Sequence, residues 1–380
     1  MHKKIFTFSI VLLLVLAGGL FFFSSRTTLR DRVEQANELG KSWLFQNIRT
    51  KGLFVYALDP ETGEYSTSNN EIRQLMASRV LAQESVHNPT LLDVHRLNLD
   101  FIFDFWYRAD GDIGYVLYDG KSKLGGNAML LRVLVASPLF DEYVKEAEAL
   151  ARGMLALQDN ETGAFRAWYV EPPYAYDEDY LLTFYSGEAL LALLEYHERT
   201  GDERWLASAE RSADFYIDRY VTHLTEHYYP AYVPWHTLAY SKLYERSGDA
   251  RYADAIFTMN DKLLELQDRE GFVGRFYNPS TPQYGSPHGS SDAVYTEGLA
   301  YAYEVAKLVG DRAHERRYRE AIERAVANLE WLQYQEAVPA FPLEPERYVG
   351  ALRTRADSFT VRVDTTQHAV DAFTKLLEVL

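Results

Sequence analysis

Three times in this chain an apolar run closes on a glycine followed directly by an aspartate: Arg199-Thr200-Gly201-Asp202, Arg246-Ser247-Gly248-Asp249 and Leu308-Val309-Gly310-Asp311. Glycine takes the left-handed conformation that ends a helix, and aspartate caps the first turn of the next one. Each tetrapeptide therefore predicts a sharp turn between two antiparallel helices. The runs before the turns (187–196, 237–244 and 298–309) are apolar nearly all round, as in a helix buried on both sides. The runs after them are striped; Tyr252, Ile256, Met259 and Leu263 share one face and charged residues fill the rest. A chain punctuated in this way is confined to paired inner and outer helices.

A second mark closes the outer helices. Leu157-Gln158-Asp159 precedes Glu161-Thr162-Gly163, Leu266-Gln267-Asp268 precedes Glu270-Gly271, and Asp59-Pro60-Glu61-Thr62-Gly63 stands at the same stage after the first helix. Extended over the chain, the pattern predicts inner helices starting near Asn70, Gly125, Ser186, Trp235, Tyr295 and Thr365. Outer helices are predicted over 89–107, 140–157, 203–220, 251–266 and 313–333, with 31–47 as the sixth. The last inner helix can then pair with the first outer one and close a ring. Loops of unequal length lie before the inner helices, whereas a solenoid would keep a fixed period. The expected fold is an all-α (α/α)6 toroid, one domain over residues 25–380.

Residues 1–24 read as an address. From Ile5 to Phe23 the chain is apolar apart from Thr7 and Ser9, long enough as a helix to span a hydrocarbon core of roughly 30 Å. A cleaved signal peptide has a shorter apolar region and a small-x-small site after it; here Ala17-Gly18-Gly19 is followed by more apolar residues. The reading is an uncleaved signal anchor with Lys3 and Lys4 cytoplasmic and the domain outside the cytoplasm, on the periplasmic or extracellular face. Cleavage would give a secreted domain instead. The absence of cysteine excludes disulfides, thiol nucleophiles and cysteine-ligated metal, and a net charge of -16 argues against a nucleic-acid partner. Neither a cofactor motif nor a metal-ligand motif stands out; the His223/His227 pair lacks the glutamate of a zinc helix, and Asp177-Glu178-Asp179 reads as an exposed acidic loop.

The inner helices share a start in which a polar residue precedes small or apolar ones. Aligned on it, Asn127, Glu188, His236, Glu297 and His368 stand at one level of the ring, with Gln74 or Arg73 in the first hairpin. Polar groups opening apolar helices must face a wet cavity or be paired, because burying them bare costs about 2–7 kcal/mol. For Glu188 and Glu297 a first-turn carboxylate complementing the helix dipole is the plain alternative. If both face inward, packing at roughly 8–10 Å between helices sets their carboxyls about 8 Å apart, within the range of an inverting glycosidase pair. His236 and His368 are then substrate ligands or proton carriers.

The stretch Tyr185-Ser186-Gly187-Glu188-Ala189-Leu190-Leu191, together with Arg199-Thr200-Gly201-Asp202 and Leu157-Gln158-Asp159, resembles the six-hairpin glycosidase-like superfamily over about residues 30–380. Its members include inverting glycoside hydrolases, unsaturated uronyl hydrolases, the C-terminal domain of glucuronyl C5-epimerases and N-acylglucosamine 2-epimerases. The resemblance implies carbohydrate chemistry at the mouth of the toroid without selecting a reaction. Its sugar epimerase and isomerase branch uses histidines on the fourth and sixth inner helices, where His236 and His368 stand, and a substrate-holding arginine that Arg73 matches. Ala239 stands where that branch has a glutamate three residues after the first histidine.

The loops suit a saccharide partner. Trp168, Tyr169, Tyr174, Tyr176, Tyr180 and Tyr185 crowd the approach to Glu188, and Tyr228, Tyr229, Tyr232 and Trp235 that to His236. Such rings stack on sugars and bond their hydroxyls. Tyr185, Trp235, Tyr295, Asp364 and Gln367 adjoin ring positions and are assigned to substrate binding with Arg73 and Asn127. Arg275, and the cluster Arg353, Arg355 and Arg362, place positive charge before the last two inner helices, where it can hold a uronate or neutralise Glu297 and Asp364. The function expected is an extracytoplasmic glycosidase-like hydrolase. The alternatives are an epimerase, isomerase or lyase using His236 and His368, or a non-catalytic glycan-binding subunit of envelope polysaccharide machinery.

Overall fold

A computed structural model of the chain describes residues 27–380. The expected membrane segment lies outside the described residues, and among those no helix is long and apolar enough to cross a membrane. The helices, in chain order, are α1 (Leu29–Gln46), α2 (Glu71–Ser85), α3 (Pro89–Phe105), α4 (Leu124–Ala136), α5 (Val144–Leu155), α6 (Glu178–Thr200), α7 (Glu203–Ile217), the single turn α8 (Leu224–His227), α9 (Tyr232–Ser247), α10 (Ala250–Leu263), α11 (Gly289–Val309), α12 (Arg312–Leu332) and α13 (Val363–Val379). The inner helices α2, α4, α6, α9, α11 and α13 each pack against the next, and α13 returns to α2, so the ring closes. Each is covered by an outer helix; α13 takes α1, as the sequence pattern requires.

The glycine–aspartate turns form as expected. Gly201, Gly248 and Gly310 hold φ of 71°, 66° and 80° as helix C-caps. Asp202, Asp249 and Asp311 then cap α7, α10 and α12 by accepting hydrogen bonds from backbone N–H groups of the first turn. The second mark joins neighbouring outer helices. The side-chain amide of Gln158, just after α5, donates to the Ser208 carbonyl of α7; that of Gln267, after α10, donates to Ala321 of α12. Gln333, after α12, donates to Ala36 of α1 across the closing joint. The hairpin behind Gln158 needs glycine: Gly163 has φ 83°, and a Cβ there would stand 2.5 Å from the Arg211 carbonyl oxygen.

The core lies between the two helix layers, with Leu190, Leu193, Ala209 and Ala213 fully or almost fully buried. At the closing joint Trp43 and Leu44 of α1, Leu81 of α2, Val370 of α13 and Tyr348 form one cluster. Each aliphatic side chain buried there contributes about 1.5–3 kcal/mol. α1 starts at the far end of this joint, where the Arg30 guanidinium donates to the Leu377 carbonyl in the last turn of α13.

The all-α expectation misses short strands in the loops before the inner helices, where backbone groups without a helix need partners. They are β1 (Ala57–Asp59), β2 (Glu64–Tyr65), β3 (Tyr107–Asp110), β4 (Ile113–Val116), β5 (Ser122–Lys123), β6 (Trp168–Val170) and β7 (Val361–Arg362). β1 pairs antiparallel with both β2 and β7, with Leu58 opposite Tyr65 and Ala57 opposite Arg362. This small sheet fixes the loop before α13 to the first hairpin at the mouth. β3 pairs with β4, and β5 with β6.

Candidate active site

The N-terminal parts of five inner helices enclose a cavity of about 290 Å³. It lies at the low end of the ~300–1,000 Å³ usual for small-molecule sites. One wall is aromatic: Tyr180, Phe184 and Tyr185 from α6, Trp235 from α9 and Tyr295 from α11. The polar lining comes from Asn70 and Arg73 at α2, Glu188 of α6, Ser290 and Ser291 of α11, and Asp364 and His368 of α13. Eight residues singled out in the sequence therefore meet here: Arg73, Tyr180, Tyr185, Glu188, Trp235, Tyr295, Asp364 and His368.

Glu188 is 2% exposed, and its Oε2 has no hydrogen-bond partner among the described residues. Burial pushes its carboxyl up to about 8, opposed only in part by the charges of Arg132 and Lys123. It is thus an uncharged acid at neutral pH. The helix dipole does not explain it, because α6 begins at Glu178, two turns earlier than expected, and Glu188 sits almost three turns in. Across from it, a Cβ on Gly125 would lie 2.5 Å from Glu188 Oε2 and 2.5 Å from the Tyr185 ring. The glycine that opens α4 thereby makes the space for this carboxyl. Beneath, Arg132 donates to both oxygens of Glu195 at 2.9 Å, and this pair holds Glu195 down to about 2 although burial alone would raise it. The Arg132 guanidinium also lies 5.9 Å from the centre of the Trp235 ring and backs the aromatic wall.

His368 meets the edge of Trp235 at 5.9 Å between ring centres, and its Nδ1 lies 3.8 Å from Glu297 Oε2. Glu297 is behind the histidine and does not line the cavity. Burial pushes its carboxyl upward while His368 opposes the shift. Glu297 too is more than two turns into its helix, since α11 starts at Gly289. Asp364 is the contrasting acid. Burial would raise it, but hydrogen bonds from Arg362 and the charge of Arg73 hold it below the usual carboxylate range.

Five other expected positions turn away from the cavity. His236 is fully buried in a cage of Tyr216, Tyr220, Tyr232 and Tyr240, its Nδ1 2.9 Å from the Tyr232 carbonyl and its Nε2 3.3 Å from Ser186 Oγ. Burial lowers it to about 4, so it is a neutral structural imidazole. Asn127 accepts from the Val116 N–H, and Gln74 bonds both backbone groups of Phe54. Gln367 donates to Asp371, and Arg275 lies against Phe272 and Tyr277 beside Asp268. His236, Asn127, Gln74 and Gln367 share the level of the ring and differ in rotation, whereas Arg275 stands in the loop before α11. The acidic run is structural as well: Asp177 caps α6, and Glu178 accepts from the Ala167 N–H. Asn70, Phe184, Ser290 and Ser291 line the cavity without having been predicted. Gly289 opens α11, and Ser290 and Ser291 after it face the site.

No protein-family model matches this chain, and no curated protein matches its sequence. Solved structures match it over nearly its whole length. A D-mannose isomerase aligns with a TM-score of 0.69 over 92% of this chain and 97% of its own, at 12% identity. An inactive α-1,6-mannanase variant from Salegentibacter sp. HEL1_6, in complex with α-1,6-mannotriose, aligns at 0.62 over 92% and 100%, at 13% identity. An unsaturated glucuronyl hydrolase from Streptococcus agalactiae aligns at 0.60 over 93% of each chain, at 14% identity. The fold is that of the (α/α)6 six-hairpin toroid. In this six-hairpin toroid the cavity lies at the mouth, where the inner helices begin.

Proposed function

We propose that this chain is a carbohydrate-active enzyme of the glycosidase type that takes the end of a glycan into the mouth cavity. The observation that carries the reading is Glu188, a buried and uncharged carboxyl on the wall of a cavity that also presents aromatic rings and hydrogen-bonding groups. In hydrolysis its proton passes to the glycosidic oxygen as the C–O bond breaks. Water attacks the anomeric carbon and gives its proton to the imidazole of His368, backed by the Glu297 carboxyl; His368 then releases that proton to solvent and Glu188 takes one up. Activity falls as pH rises through about 8, where Glu188 loses its proton.

Two features favour hydrolysis over the two-histidine isomerase scheme: His236 is caged away from the cavity, and Ala239 stands where that scheme has glutamate. The catalytic arrangement also differs from that of the mannanase, whose inactive variant has two adjacent aspartates replaced, for this sequence has no two consecutive aspartates. Glu188→Gln is expected to lower kcat by about 10²–10⁴ on a cleaved saccharide. Unchanged turnover in Glu188→Gln with loss in His368→Asn, and solvent deuterium entering an uncleaved sugar, would select the isomerase. Glycan binding without turnover across a broad panel would select a binding subunit.

The proposed location is outside the cytoplasm, tethered by the apolar segment 5–23. α1, the first described helix after that segment, starts at the end of the toroid opposite the cavity. The cysteine-free sequence allows a direct test, labelling Asp357→Cys in intact cells with a membrane-impermeant maleimide. Protection of that site until lysis refutes the assignment.

A further inference from the structure

The Arg73 end of the cavity carries a positive charge that its surroundings do not cancel. The Arg73 side chain is 34% exposed and lines the cavity, with Nε 2.9 Å from Asp364 Oδ2. That carboxylate is already held elsewhere. Arg362 donates from Nε to Oδ1 at 2.6 Å and from Nη2 to Oδ2 at 2.8 Å, and the Thr365 N–H donates to Oδ1 at 3.0 Å. Two guanidiniums thus share one carboxylate. The neighbouring acid, Glu71, is paired through Oε1 with Lys123 at 2.8 Å. Arg73 donates through Nη1 to the Tyr56 hydroxyl and meets Asp364 through Nε, and its other N–H groups make no hydrogen bond among the described residues. Positive charge collected at one end of a cavity, in a chain of net charge -16, calls for an anion from the ligand.

We propose that the cavity selects an acidic saccharide, seating the ring carboxylate of a uronate on Arg73 while the sugar faces rest against Tyr185 and Trp235. This deepens the glycosidase reading and rests on it. The planar guanidinium matches a carboxylate in shape, and the Arg362–Asp364 pair behind it holds its plane in place. A neutral sugar leaves the spare N–H groups of Arg73 to water and gains nothing from the unbalanced charge.

The test uses the full chain carrying Glu188→Gln, so that binding is measured without turnover. Calorimetry compares oligosaccharides ending in glucuronate, galacturonate or mannuronate with their carboxyl-reduced neutral counterparts and with 6-O-sulfated ones. At least one uronate is expected to bind roughly tenfold or more tighter than its reduced partner, the effect of one charge-assisted contact. Adding Arg73→Gln should bring that ratio to about one, and Arg73→Lys should keep part of it. Equal affinity for acid and neutral forms, a preference that survives Arg73→Gln, or tighter binding of the sulfate overturns the inference. If Arg73→Gln does not fold, salt decides in its place: uronate affinity must fall between 50 and 500 mM NaCl while that of the reduced partner holds. A Glu188-dependent cleavage of neutral glycans without acid preference refutes the uronate assignment alone. Failure of every saccharide to bind refutes the site reading and the inference together.

Discussion

Glu188→Gln should make the protein more stable at high pH while it removes activity. In the unfolded chain the Glu188 carboxyl ionises near its ordinary 4.5, whereas in the folded chain it holds its proton to about 8. Between those values the folded state binds more protons than the unfolded state, so stability falls with rising pH. Keeping that proton costs about 1 kcal/mol at pH 5 and about 4 kcal/mol at pH 8, at 1.36 kcal/mol per unit. Glutamine has the same shape and never ionises. Its amide adds a penalty of about 1–3 kcal/mol for buried N–H groups, and that penalty does not change with pH. The variant is therefore expected to match or fall slightly below the parent at pH 5, and to exceed its own pH 5 standing by about 3 kcal/mol at pH 8. Urea unfolding of both proteins at half-unit steps from pH 5 to 9 measures the difference directly. A difference independent of pH would mean that the folded carboxyl ionises normally, and the proton-donor assignment would go with it.

Gly125→Ala is expected to displace the Glu188 carboxyl and the Tyr185 ring, costing about 1–3 kcal/mol of stability and reducing kcat more than KM. His236→Asn should destabilise by about 1–3 kcal/mol and leave kcat unchanged, whereas His368→Asn should lose kcat; equal kcat losses would restore the two-histidine scheme. Glu195→Gln breaks a buried ion pair with Arg132 and is expected to cost about 3–5 kcal/mol by urea unfolding. Gln267→Ala removes the link from α10 to the Ala321 carbonyl and leaves the Arg324 guanidinium without its acceptor, for a loss of about 1–3 kcal/mol.

The fold was legible because its punctuation is local. A glycine in the left-handed conformation and an aspartate cap are decided within one turn of chain, so Gly201-Asp202, Gly248-Asp249 and Gly310-Asp311 could be read without knowing what lay around them. Helix starts at the mouth were less legible. The α6 and α11 helices begin at Glu178 and Gly289, well before the apolar runs, because their first turns are polar residues facing loops and the cavity. The site was legible as a level and not as a direction. Aligning the inner helices identified His236, Asn127 and Gln367 along with Glu188 and His368, but which way each points depends on how far its helix is rotated against its neighbours. That rotation is fixed by contacts distant in sequence, such as the Val116 N–H that claims Asn127 and the tyrosines around His236.

The error in helix starts bears directly on chemistry. With α6 starting near Ser186, Glu188 would be a first-turn carboxylate, stabilised as an anion by the free N–H groups of its own helix. Starting at Glu178, the helix satisfies those groups far upstream, with Asp177 as its cap, and Glu188 meets only the closed hydrogen-bonded wall of α6. The same residue type at the same level of the ring changes from a stabilised base to a retained acid. Asp364 shows the converse: it lies in the first turn of α13, accepts from the Thr365 N–H and from Arg362, and remains an anion. Two carboxyls line one cavity, one protonated and one ionised, and the difference is set by helix position and by arginine. The cleavage we propose draws on that difference: Glu188 keeps a proton to give, while Asp364 stays charged beside Arg73.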